Sequence, residues 1–287
     1  MEMTPECVPC LLGRVLFEVE LCDPGKAERA MRDSLTLLHE RFRPGANSAA
    51  VATAVHRRVY EVLGCEDPYA DLKRRADEVA AALLPRARRH IARSEDRLRA
   101  AAVVAIAGNV MDFGIPGHDS PEQLAEEFDA IVAQGLDVDD LDDVRRLLGP
   151  GKRVVYLLDN CGEAVLDRPL VEELRSTGAR VVGVVKGAPV LTDITLAEVA
   201  RAGLEGAFDE LLTTGTFAVG IDTEKMGDRL RAELCQADLI VAKGMANFES
   251  LSDAPFRPIA YLMRAKCAPV ARAIGARKGD NVAKLFA

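Results

Sequence analysis

Arg153-Val154-Val155-Tyr156-Leu157-Leu158-Asp159-Asn160-Cys161-Gly162-Glu163 is the stretch whose reading decides the fold. Its apolar part is too short for a helix of ordinary length and rich in β-branched residues, so it reads as a buried strand. It stops at an acid, an amide and a glycine, and a helical pattern starts at Glu163. The same alternation recurs downstream. Further strands are expected at 180–185, 210–212, 239–242 and 258–263, with helices near 163–177, 195–202, 224–235 and 266–274. Strands alternating with helices specify a mainly parallel sheet covered on both faces, a Rossmann-like α/β/α sandwich.

Upstream the texture is helical. Leu12, Val15, Leu16 and Val19, then Met31, Leu35, Leu38 and Phe42, then Val51, Val55, Val59 and Val62, then Leu72, Ala76, Val79 and Leu83 each step by three or four. Breaks at Asp23-Pro24-Gly25, Pro44-Gly45 and Gly64 to Pro68 make four antiparallel helices the simple expectation. An N-terminal helical bundle is therefore expected over 1–93. An α/β domain over 94–287 follows, with a helical lead-in over 94–150. That lead-in holds an alanine-rich helix ending at Gly108-Asn109, and a second helix opened by Ser120-Pro121-Glu122-Gln123, an N-cap, first-turn proline and capping-box glutamine.

Composition excludes several classes. The 287 residues are 49% hydrophobic and 29% charged, enough for a sizeable core. No apolar run approaches a membrane span, and the first residues lack the pattern of a signal peptide. Seven cysteines, an odd number in a long chain, suit a reducing compartment, so a cytoplasmic location is expected. A net charge of −8, no Trp and 5% aromatics argue against a nucleic-acid partner. Residues 101–150 hold eleven acidic against two basic side chains, from Asp119 to Asp143 above all, and read as a solvated face.

Open parallel sheets bind ligands beyond the carboxyl ends of their strands, and those ends are unusually polar here. They carry Asp159-Asn160-Cys161-Gly162-Glu163, Lys186-Gly187 with Asp193 soon after, Lys243-Gly244 with Asn247, and Arg264-Ala265-Lys266. Two acids and an amide are hard oxygen ligands for a divalent cation, and the basic groups suit an anion bridged to it. Singly, Asn160 with Glu163 and Asp193 before a helix read equally well as helix caps. Their recurrence at successive strand ends favours a site. No Gly-x-Gly-x-x-Gly, Walker lysine or Gly-x-Ser-x-Gly is present. His39, His56, His90 and His118 all precede the α/β part and read as helix-surface or loop residues. Cys7-Val8-Pro9-Cys10 has no second C-x-x-C, so packing is its default, with Cys267 a candidate third partner. Cys161 reads as a space-filler.

With these pieces assembled, the chain resembles the damage-control phosphatase family, an ARMT-like metal-binding family, in its short prokaryotic and archaeal branch. The resemblance rests on Cys7-x-x-Cys10, Asp67-Pro68-Tyr69, Gly108-Asn109-Val110-Met111-Asp112-Phe113-Gly114, Asp159-Asn160-Cys161-Gly162-Glu163, Lys186-Gly187-x-Pro189 leading to Asp193, Lys243-Gly244-x-x-Asn247-Phe248-Glu249 and Lys266-Cys267-x-Pro269-Val270. It implies a metal-dependent phosphatase of small phosphorylated metabolites, using manganese, cobalt, nickel or magnesium. It implies metal binding by Asp159, Asn160 and Asp193, and substrate contacts from Asn109, Asp112, Lys186, Asn247, Arg264 and Lys266. Cys161 and Thr192 depart from the family's usual Ala and Asn.

Lys243 is expected to neutralise charge on the transferred phosphoryl group, and Asp159 to be catalytic as well as a ligand. Attack by Asp159 and attack by a metal-activated water both stay open, with the water preferred because no second acid lies two residues beyond Asp159. The alternatives are an S-adenosylmethionine-dependent carboxyl methyltransferase, disfavoured by the missing glycine-rich loop, and a non-catalytic metal- or nucleotide-binding regulator.

Overall fold

A computed structural model describes residues 1–112 and 120–287. The expected Phe113, Gly114, His118 and Asp119 features lie outside the described residues. The α/β expectation holds. Among the described residues seven strands form one sheet: β1 (Val138–Asp139), β2 (Arg153–Leu157), β3 (Arg180–Val185), β4 (Glu210–Thr213), β5 (Leu239–Lys243), β6 (Ile259–Arg264) and β7 (Asn281–Phe286). Their order is β1-β7-β6-β5-β2-β3-β4. β2 to β6 run parallel, and β7 pairs antiparallel with β6. Chain order reverses between β2 and β5, since β3 and β4 extend one way and β5 and β6 the other. That is the switch point at which a doubly wound sheet opens a crevice.

Helices cover both faces because β2, β3 and β5 are buried on both. One face carries α4 (Ala70–Arg93), α5 (Arg97–Gly108) and α8 (Glu163–Ser176), and the other α10 (Asp228–Gln236), α11 (Gly244–Leu251) and α12 (Ala268–Ile274). Every residue of α5 from Ala100 to Gly108 is buried, so this helix is apolar all round and lies inside. Its alanines let α8 close on it: a Cβ at Gly108 would come within 3.1 Å of the Glu163 backbone.

The expected four-helix bundle divides. α1 (Cys7–Cys22), α2 (Ala27–Arg41) and α3 (Ser48–Leu63) share a separate core built on Val15, Val19, Leu38, Val55 and Val59. α4 instead lays Ala76, Ala80, Leu83, Ala87 and Ile91 into the core beneath the sheet. Its small-residue face fits a crowded interior, so packing separates α1–α3 from the rest, ahead of residue 93. The helix after Ser120 is α6 (Glu122–Gln134), whose cap position is Pro121 with no side-chain cap bond. Among the described residues no helix is long and apolar enough to cross a membrane.

Candidate active site

After β2 the chain turns into α8 through Asp159 to Gly162, and a short antiparallel ribbon forms alongside it. Cys161 N donates to Thr192 O (2.9 Å) and Ile194 N to Asp159 O (2.9 Å), pairing Asn160 with Asp193. Three side chains separated by thirty-odd positions thus come to one edge. Two backbone features hold the turn. Gly162 has φ +73°, and a Cβ there would collide with Met111 and Ala76. Leu191, which lines the cavity, sits at φ 49° in the left-handed region, with its N–H donating to Tyr60 Oη at 2.9 Å.

The cavity between this edge and α1 and α3 has a volume of about 140 Å³. Asp112, Asp159, Asn160 and Asp193 line it from below, and Arg14 and His56 from the helical side. Asp159 Oδ2 accepts from Asn109 Nδ2 (3.1 Å) and Asn160 Nδ2 (2.7 Å), so its carboxylate plane is fixed. Gly244 makes room for it, since any Cβ there would occupy the place of the Asp159 carboxylate. Asn160 Oδ1 accepts from Thr192 Oγ1 at 2.6 Å and keeps a second lone pair.

Charge in the cavity is unbalanced. Burial pushes the Asp159 carboxyl well above its ordinary range, and Glu163, Asp193 and Asp112 push it further against the pull of Lys266. Burial raises Asp193 as well, against Lys186. Lys186 Nζ is 3.2 Å from Asp193 Oδ2 but out of line for a hydrogen bond, so that buried oxygen accepts none. Two desolvated carboxylates, of which Asp159 has no ion-pair partner among the described residues, fit a divalent cation. Among the described residues no three His, Cys, Asp or Glu side chains converge on a metal position, so the third ligand would be the Asn160 amide.

The other expected contacts divide into supports and absentees. Lys266 donates to Asn109 O and Asp112 Oδ2 (both 2.8 Å), and Arg14 donates to Asp112 Oδ1 (2.6 Å). Lys186 donates to Gly220 O (2.6 Å), tying down the loop over the cavity. Asn247 Nδ2 binds Lys243 O (2.7 Å) and Leu158 O (3.3 Å), joining the ends of β5 and β2. The Arg264 guanidinium turns to Asn281 Oδ1 (2.8 Å) and Gln134 Oε1 (3.1 Å), away from the cavity.

Lys243, expected to neutralise the phosphoryl group, does not line the cavity. Its ammonium is fully buried behind the sheet edge and donates to Glu163 Oε1 (2.6 Å), Asp167 Oδ1 (2.7 Å) and Ala105 O (3.0 Å). Three protons meet three acceptors, which leaves none for a phosphate.

Several cavity residues escaped the sequence. His56 is buried at 1% exposure, not on a helix surface, and its Nδ1 lies 2.7 Å from Glu18 Oε1. Arg14 also lines the cavity, as does Glu249 of the Lys243-Gly244 motif, and Cys7, Cys10 and Cys267, the three cysteines grouped from the sequence, share its wall. The helical spacing Arg14-x-x-x-Glu18 was the available signal for a polar stripe on α1. Cys161 is buried, as expected of a space-filler.

A doubly wound sheet with a buried cluster of acidic oxygens at its switch point, roofed by helices, is the layout of an enzyme acting on small molecules. The chain belongs to the damage-control phosphatase ARMT1-like family, whose domain it matches over residues 3–282. It is a phosphatase, a hydrolase of phosphate esters. It is similar to a damage-control phosphatase of Archaeoglobus fulgidus, 43% identical over 288 residues that cover 99% of both chains. Damage-control phosphatase PH1575 of Pyrococcus horikoshii is 30% identical over 98% of this chain and 97% of its own. The crystal structure of that DUF89 family protein superposes with a TM-score of 0.87 over 99% of each chain.

Proposed function

We propose that the chain hydrolyses small phosphorylated metabolites, sugar phosphates among them, with a divalent cation held by Asp159, Asn160 and Asp193. The observation that carries this is the pair of buried carboxylates, with Asp193 Oδ2 lacking any hydrogen bond, at the switch point of the sheet. The all-oxygen donor set suits magnesium and manganese, cobalt and nickel are further ions that the family resemblance implies, and the bound ion would supply a Lewis acid for a phosphoryl oxygen.

The rest is done by the chain. No side chain caps the first amides of α11, and Met245 and Ala246 line the cavity, so a phosphate oxygen finds free N–H groups beside Asp159. Arg14, held by Asp112, adds positive charge from α1. Asp159 is clamped at Oδ2 by two amides, which suits a fixed ligand better than a nucleophile that must approach phosphorus, and water is the attacking group. α1 and α3 roof the cavity and exclude bulk solvent, which strengthens each charge interaction inside.

The test is phosphate release from a panel of phosphorylated metabolites, with protein stripped of metal and reloaded with each of the four ions. Turnover with at least one ion and none in stripped protein supports the reading. Equal turnover in stripped protein, or none under any condition, overturns it.

A further inference from the structure

We propose that His56 is a catalytic residue, the general acid that gives a proton to the leaving oxygen of the ester. The inference rests on the phosphatase reading above and adds a proton donor to it. Breaking a phosphate ester of an ordinary alcohol expels an alkoxide, a poor leaving group unless it is protonated as the bond breaks. None of the cavity groups already assigned is placed for this. Asp159 and Asp193 are committed to the cation, and both oxygens of Asp112 are taken by Arg14 and Lys266.

His56 meets the requirements on four counts. It comes from α3, on the roof, opposite the acids that line the floor. It is buried, so its ring is fixed by packing. Its Nδ1 lies 2.7 Å from Glu18 Oε1, an ion-pair distance although oblique to the N–H axis, so the acid sits against that edge of the ring. Nε2, on the other edge of the ring, has no protein partner among the described residues, and His56 lines the cavity. With Glu18 against the Nδ1 edge, Nε2 is the nitrogen from which a proton would be transferred. Glu18 is fully buried and is also approached by Tyr69 Oη (3.5 Å), so the acid that orients the imidazole is itself held.

The oxygen of water bonds to phosphorus while the ester P–O bond breaks, and its electron pair goes to the leaving oxygen. That oxygen takes the Nε2 proton and departs as the alcohol. Water's surplus proton leaves through the phosphate product to solvent, and His56 regains a proton from solvent water.

The experiment compares two esters on one enzyme preparation: a sugar phosphate, whose alkoxide must be protonated, and p-nitrophenyl phosphate, whose phenolate leaves unaided. The ratio of their kcat/KM values does not depend on how much of a variant is folded. In His56→Gln, whose amide still reaches Glu18, and in His56→Asn, the ratio of sugar phosphate to aryl phosphate falls about 100-fold, the scale of a lost general acid. A ratio within about threefold of wild type, whatever happens to the separate rates, overturns the assignment. So does the loss of all aryl phosphate turnover in both variants, which makes His56 structural. Failure of the wild type on both esters with every ion overturns the phosphatase reading itself.

Discussion

Two charged clusters lie back to back at the end of β2 and β5, and they use the same residue types to opposite ends. Behind the strands, Lys243, Glu163 and Asp167 are all fully buried, and every proton of the ammonium has an acceptor, although Asp167 Oδ2 accepts no hydrogen bond. In front, Asp159 and Asp193 are nearly as buried and repel each other, and while Asp193 has the Lys186 ammonium at 3.2 Å, Asp159 has no ion-pair partner among the described residues. Burial holds Asp167 up to about 7, though Lys243 pulls it down, whereas Lys243 itself is raised because its two acids outweigh burial. A matched cluster holds a fold together. A buried acid without an ion-pair partner, as Asp159 is among the described residues, gains from a cation brought beside it. Glu163 joins the two, with Oε1 on Lys243 and Oε2 accepting from Asn109 (2.9 Å) and Asn160 (2.7 Å), the amides that clamp Asp159.

The front cluster should break first in function. Asp159→Ala is expected to lower kcat/KM on the order of 10⁴-fold, the scale of a member of a catalytic set, with divalent-ion binding weakened in calorimetry. Its stability should hold or rise, because a strained acid pair is relieved. A variant that loses stability and keeps ion affinity would show that the two clusters do not differ as described.

The rear cluster should break in stability. Lys243→Met leaves two carboxylates buried without their cation, at a cost of about 3–5 kcal/mol in urea denaturation. Ion affinity in the folded fraction should fall less than it does for Asp159→Ala. An unchanged denaturation midpoint with lost turnover would restore Lys243 to the substrate side.

These contrasts show what was legible in the sequence. The acids were found because strand ends mark where a parallel sheet binds ligands, and that follows from local pattern alone. Lys243 was misread because being at a strand end does not say which face the side chain leaves by. Parity does: Leu239 and Val241 face the α5 and α8 side and Ile240 and Ala242 the other, so Lys243 must join α5 and α8. Glu163 and Asp167, four apart on α8, present the matching acids. His56 could not be found this way, because its role depends on how α3 docks over the sheet. β1 has two residues and β7 returns antiparallel from α12, so neither repeats the β-α rhythm that revealed the others.

Asp112 stands between the two clusters, acidic and facing the cavity but fully paired. Burial raises its carboxyl, yet Arg14 and Lys266 outweigh burial and hold it well below the ordinary carboxylate range. A depressed folded value contributes stability above the unfolded value of about 3.9 and loses it as pH falls through the folded one. Asp112→Asn should therefore cost about 2 kcal/mol at pH 7, the worth of a charge-assisted hydrogen bond. The gap to wild type should narrow below about pH 4. A gap independent of pH from 7 to 3 would mean the carboxylate charge contributes nothing.

The smallest effect should come from a pair with better geometry than any of these and almost no burial. Arg88 on α4 reaches Glu172 on α8 through two hydrogen bonds of 2.8 and 2.7 Å, with both side chains about 40% exposed. Distance alone would rank it with Lys243. Water decides otherwise: each ion keeps much of its hydration, the attraction acts through a high dielectric, and two long side chains must be ordered to hold it. Glu172 also keeps a second partner in Arg168 at 3.1 Å when Arg88 is removed. Arg88→Ala should then cost less than about 1 kcal/mol, and raising salt to about 1 M, where screening acts within about 3 Å, should erase most of that. A loss as large as that of Lys243→Met and unmoved by salt would show that hydrogen-bond geometry, and not burial, separates structural charge from idle charge in this protein.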